Sequence, residues 1–115
     1  MTIIYGITNC DTVKKARRWL DAHHVAYQFH DFKKQGIERA TLKNWIDELG
    51  LDLILNRRGT TWRNLSPSQK NSLQRNTALE LLRQYPTLIK RPVIETDSQI
   101  LVGFDQKQYT STFSQ

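Results

Sequence analysis

Thr2-Ile3-Ile4-Tyr5-Gly6-Ile7-Thr8-Asn9-Cys10-Asp11-Thr12-Val13-Lys14-Lys15-Ala16 is the stretch that decides the fold. Its first apolar residues read as a buried β-strand, and residues 6–9 turn. From Asp11 the pattern becomes helical, with Val13, Ala16, Trp19 and Leu20 recurring at three- and four-residue spacing. Cys10, the only cysteine in the chain, falls at the handover from strand to helix. A thiol there meets unpaired backbone N–H groups, those of Asp11 and Thr12, and the positive end of the helix dipole. Both favour the nucleophilic thiolate, and Lys14 and Lys15 add positive charge one turn on. The competing reading of a lone cysteine is a small buried hydrophobe.

Working outward, the first helix ends around His23-His24, and residues 26–32 alternate like a second strand. A right-handed βαβ crossover would make the two strands parallel. Lys33 to Gly36 reads as a turn. A helix follows from residue 38 or 39 to 49, with Leu42, Trp45, Ile46 and Leu49 on one face and Gly50 closing it. Residues 51–55 read as a short helix, and 56–61 as a basic, polar loop. Ser66 caps a helix opened by Pro67 and running to about Arg75. Thr77 is expected to cap another, through Ala78, Leu81 and Leu82 to Gln84, stopped by Pro86. Residues 92–95 and 99–102 form a hairpin about Thr96-Asp97-Ser98, and a last helix covers 105–113. The order β-α-β, several helices, β-β-α describes an α/β, thioredoxin-like fold. It is read as one domain over residues 1–115, with a helical insertion at about 37–86.

At 115 residues the chain is long enough for a self-sufficient core. One cysteine excludes an internal disulfide, and the chain enters a strand with no apolar leader or bilayer-length segment. A cytoplasmic protein, without membrane contact, is expected. The net charge of +6 favours anionic partners. The basic residues are scattered over several elements, which argues against a dedicated DNA stripe. No Cys/His cluster has metal-ligand spacing, and no phosphate-loop or dinucleotide fingerprint is present.

Two further features join Cys10 as site candidates. Arg91-Pro92 heads the third strand, where proline is tolerated; the thioredoxin-like order places a cis-proline there, beside the active thiol. Asn56-Arg57-Arg58-Gly59-Thr60-Thr61-Trp62 combines guanidinium groups with hydroxyls and a glycine, a composition suited to oxyanions or carboxylates. The alternative for each arginine is a solvated loop. His23 and His24 suit a helix C-terminus, His30 reads as a surface residue, and Trp19 and Trp45 fall on apolar faces of the core.

Residues 5–16, 55–63, 90–94 and 101–104 resemble the YffB branch of the arsenate reductase-like (ArsC/Spx) family, over essentially the full chain. The resemblance implies a thioredoxin-like fold, a cytoplasmic bacterial protein, Cys10 as the nucleophile, and thiol activity linked to glutathione or glutaredoxin. Glutathione would be a co-substrate, with no cofactor bound, and the chain would work as a monomer. Arg91, with Asn56, Arg57, Arg58 and Thr60, would hold an anion, and backbone beside Pro92 would meet the thiol substrate. The departures are specific. Glutaredoxin-coupled arsenate reductases carry a further arginine where this chain has Gly103, so weak or absent arsenate reduction is predicted. Spx regulators typically have Cys-x-x-Cys, whereas Val13 stands at the second position here. The resemblance also implies an alternative: a regulator that docks on RNA polymerase or another protein without catalysis.

Overall fold

The computed structural model describes residues 1–71, 73 and 75–113. The chain divides into two compact units, residues 1–31 with 91–115, and residues 32–90.

The first unit holds β1 (Thr2–Gly6), α1 (Asp11–Ala22), β2 (Tyr27–Asp31), β3 (Val93–Glu95) and β4 (Ile100–Val102). The sheet order is β2-β1-β3-β4. β1 pairs parallel with β2, as the βαβ reading requires, and antiparallel with β3, Ile4 facing Ile94 and Tyr5 facing Val93. The hairpin β3–β4 closes through Thr96, whose N–H donates to the Gln99 carbonyl at 2.9 Å. A helix, Gln106–Phe113, ends the described chain. Asp105 caps it, its Oδ1 accepting from Lys107 N at 3.0 Å and Gln108 N at 3.2 Å. Ile4, Ala16, Trp19, Leu20, Ile94, Leu101 and Tyr109 form the core of this unit. Trp19 meets Tyr109 edge-on at 5.4 Å and stacks on His23 at 3.8 Å.

The second unit is helical. After the first helix, α1, and before the C-terminal one come α2 (Phe32–Gln35), α3 (Arg39–Leu49), α4 (Leu51–Ile54), α5 (Thr60–Asn64), α6 (Pro67–Asn71) and α7 (Arg75–Gln84). The C-terminal helix is therefore α8. A 3-10 turn, Pro86–Leu88, follows α7, and Ile89 bridges back to Leu55. Phe32, Leu42, Trp45, Ile54, Leu79, Leu82 and Leu88 are fully buried.

Four local expectations change. The basic loop read over residues 56–61 stops at Gly59, which caps α5, so Thr60 and Thr61 are helical. Lys33, Lys34 and Gln35 are not an open turn but part of α2, closed by Gly36 in the left-handed region (φ 66) with its N–H on the Phe32 carbonyl. Ser66 does cap α6, reciprocally with Gln69 (Gln69 N to Ser66 Oγ 3.0 Å, Ser66 N to Gln69 Oε1 2.9 Å). The described helix ends at Asn71, however, and the expected continuation crosses residues 72 and 74, which lie outside the described ones. Thr77 lies inside α7, which starts two residues earlier; a threonine is tolerated within a helix and so marks its start only loosely.

Candidate functional site

The geometry at Cys10 starts with Gly6. A Cβ on Gly6 would stand 2.7 Å from Val13 Cγ2, so only glycine lets the end of β1 press against the first turn of α1. The chain turns through residues 7–9 and Cys10 becomes the N-cap of α1, in an extended conformation (φ −144, ψ 120). Its carbonyl accepts from Lys14 N at 3.0 Å, which opens the helix, while its side chain makes no capping hydrogen bond. Cys10 is a free, partly buried thiol. Asp11 and Thr12 are exposed in the first turn, where their N–H groups are among those a helix leaves unpaired. Asp11 brings a carboxylate to the same turn.

The register of β1 against β3 brings Pro92 to the same end of the sheet. Tyr5 faces Val93, so Gly6 ends its strand where Pro92 leads into the neighbouring one. The Arg91–Pro92 peptide bond is cis. The Pro92 carbonyl accepts from Gly103 N at 2.8 Å, and the Gly103 carbonyl accepts from the Tyr109 hydroxyl at 2.6 Å. Gly103 has φ 81, a left-handed conformation that a side chain would strain. Burial pushes the Tyr109 phenol well above its ordinary pKa, and the Asp105 carboxylate adds to the shift. In the sequence Gly103 stands out only as the place of an absent arginine, and Tyr109 does not stand out at all. The signal was available as a glycine directly after a strand and a tyrosine one turn inside the next helix.

The basic loop belongs to the helical unit. Asn56 N donates to the Leu88 carbonyl at 2.7 Å, and Asn56 Oδ1 accepts from Arg58 N at 3.1 Å, so this residue shapes the loop. Arg57 is engaged by Asp52 at 3.1 Å and lies over the Trp62 ring at 5.5 Å. Thr60 Oγ1 accepts from Arg63 Nη2 at 3.2 Å. Arg58 is exposed, and its guanidinium has no partner among the described residues, which leaves it the open cation of the pair. Among the described residues no group of three His, Cys, Asp or Glu could hold a metal ion, and no helix is long and apolar enough to cross a membrane.

Residues 5–112 match the ArsC family. The chain belongs to the ArsC family. Its fold agrees with that of the solved YffB protein, 49% identical, with a TM-score of 0.93 over 96% of this chain and 97% of that one. A solved arsenate reductase (ArsC) related protein from Brucella melitensis is 42% identical, with a TM-score of 0.76 over 99% and 95% of the two chains. The global transcriptional regulator Spx 1 of Lactococcus lactis is 27% identical over 94% of this chain and 85% of its own. The fold, a four-stranded mixed sheet with helices, is thus that of an ArsC-family, thioredoxin-like protein.

Proposed function

We propose that this ArsC-family protein is a glutathione-dependent thiol oxidoreductase in which Cys10 is the nucleophile. The observation that carries the reading is the placement of a partly buried cysteine at the N-cap of α1, its side chain uncommitted, at the sheet end where Arg91–Pro92 enters β3. The Cys10 thiolate attacks the glutathionyl sulfur of a mixed disulfide, R–S–S–G. A Cys10–S–S–G bond forms, the S–S bond of R–S–S–G breaks, and the departing RS⁻ takes a proton from solvent. The chain has no second cysteine to resolve this adduct. A free glutathione thiolate therefore attacks the glutathionyl sulfur, giving oxidised glutathione and returning the Cys10 thiolate. The sum is RSSG + GSH → RSH + GSSG. Backbone beside Pro92 holds the cysteinyl part, and Arg91 the carboxylate.

Intact mass after treatment with oxidised glutathione tests this. One glutathione adduct on the protein, absent in Cys10→Ser and removed by added glutathione, is expected. No adduct, or turnover that survives Cys10→Ser, refutes it.

A second reading rests on the similarity to Spx: a regulator that docks on RNA polymerase through its basic surface, with no turnover. Stoichiometric capture of the polymerase by both the native chain and Cys10→Ser would favour it.

A further inference from the structure

The exposed side of α1 beyond Cys10 carries a groove that the thiol chemistry does not use. Lys14, Arg17, Arg18 and Asp21 line an open hollow of about 300 Å³. It shares Arg17 and Asp21 with a second, of about 430 Å³, floored by Val25, Tyr27 and Phe29. Arg17 is held in place. Its Nε donates to the Tyr27 hydroxyl at 3.2 Å and its guanidinium lies 4.2 Å from the Phe29 ring centre. These contacts leave its two terminal nitrogens aimed at no protein acceptor among the described residues. Lys14 and Arg18 are exposed and likewise make no ion pair among the described residues. The carboxylates on this helix face are Asp11, in the first turn, and Asp21, at the far end, so the middle of the groove is positive.

We infer that this groove is a subsite for an acidic segment of a polypeptide substrate whose cysteine is presented to Cys10. This rests on the proposed thiol chemistry and names its substrate class. Lys14, Arg17, Arg18 and Asp21 follow the i, i+3, i+4, i+7 spacing that runs along one helix side, and Cys10 caps the same helix one turn before Lys14. Arg17 lies seven residue steps along from Cys10, roughly 10 Å of axis. An extended peptide covers that in about three residues. A glutamate or aspartate three residues from the reacting cysteine thus reaches Arg17, whose planar fork suits a carboxylate and is already ordered. Lys14 and Arg18 flank it, and an apolar side chain further along meets Val25 and Tyr27.

The test uses the intact protein and labelled peptides with serine in place of the cysteine, carrying glutamate, glutamine or lysine three residues away. Fluorescence anisotropy should show the glutamate peptide bound roughly three- to tenfold tighter than the glutamine peptide, in keeping with exposed ion pairs that each contribute little. The lysine peptide should be weakest, and the preference should shrink with added salt. It should be lost in Lys14→Gln/Arg18→Gln and reduced in Arg17→Lys, which keeps the charge but not the fork. Equal affinity for glutamate and glutamine peptides, or an unchanged preference in the double variant, overturns the subsite. The glutathione mixed disulfides of the cysteine-bearing peptides separate the two claims. Faster reduction of the acidic one supports both. Selective binding without reduction of any of them supports the subsite and overturns the thiol chemistry.

Discussion

Gly6→Ala should be costly, because the added methyl has a stiff neighbour. The new Cβ would stand 2.7 Å from Val13 Cγ2 and 3.3 Å from Val13 Cγ1. Ordinary carbon–carbon contact is ~3.5–4.0 Å, so β1 and α1 must part by roughly 1 Å. Val13 is 1% exposed, and a β-branched side chain in a helix has one strongly preferred rotamer, so it does not swing away. Overpacking of this kind costs about 1–3 kcal/mol. Val13→Ala alone removes two buried methyls, about 1.6 kcal/mol of transfer free energy plus a cavity contribution. In the double variant the alanine methyl at position 6 enters space that Val13 has vacated. Its destabilisation should therefore fall short of the sum of the two by about 1–2 kcal/mol, a coupling typical of residues in contact. Urea unfolding of the four proteins, followed by circular dichroism, gives the cycle. Additivity to within about 0.5 kcal/mol would refute the reasoning, since it is the result expected of independent sites.

Iodoacetamide should alkylate Cys10 faster at neutral pH than it does an unstructured thiol, and the excess should vanish in urea; equal rates in both states would leave the helix N-terminus without influence on the sulfur. Ser66→Ala should lose about 1 kcal/mol through the broken cap on α6, measured by the same unfolding assay. Tyr109 gives a pH signature. Its folded pKa lies above the unfolded value, so its share of stability is whole below pH ~10 and is lost as pH rises from there toward the folded value. Tyr109→Phe should flatten that alkaline decline while lowering stability at neutral pH, where the hydroxyl's bond to Gly103 is missing; an unchanged alkaline slope would refute the assignment.

The parallel pairing of β1 and β2, the hairpin and the burial of Trp19 and Trp45 were legible because period-two and period-3.6 patterns depend on local residues alone. Cys10 was legible for the same reason: a strand handing over to a helix fixes what stands at the cap. The Arg17 clamp was not. It joins a helix to a strand ten residues on, through a hydroxyl and a ring face, and neither leaves a periodic mark. Arg57 and Arg58 looked equivalent in the sequence; only Asp52 and Trp62 distinguish them, by taking up the first.

The division of the chain also sets an order for its synthesis. Residues 32–90 are continuous and are complete once Lys90 has left the ribosome. The sheet unit is not: Ile4, Ala16, Trp19 and Leu20 must wait for Ile94, Leu101 and Tyr109, which are made last. β3, an interior strand that covers one side of β1, arrives only after the whole helical segment. During translation the side of β1 later taken by β3 is therefore an open edge, of the kind that pairs with other chains. Nascent protein of this family should call on chaperones most between the emergence of β2 and that of β3, and a stalled ribosome at residue 90 would display the most aggregation-prone form of the chain.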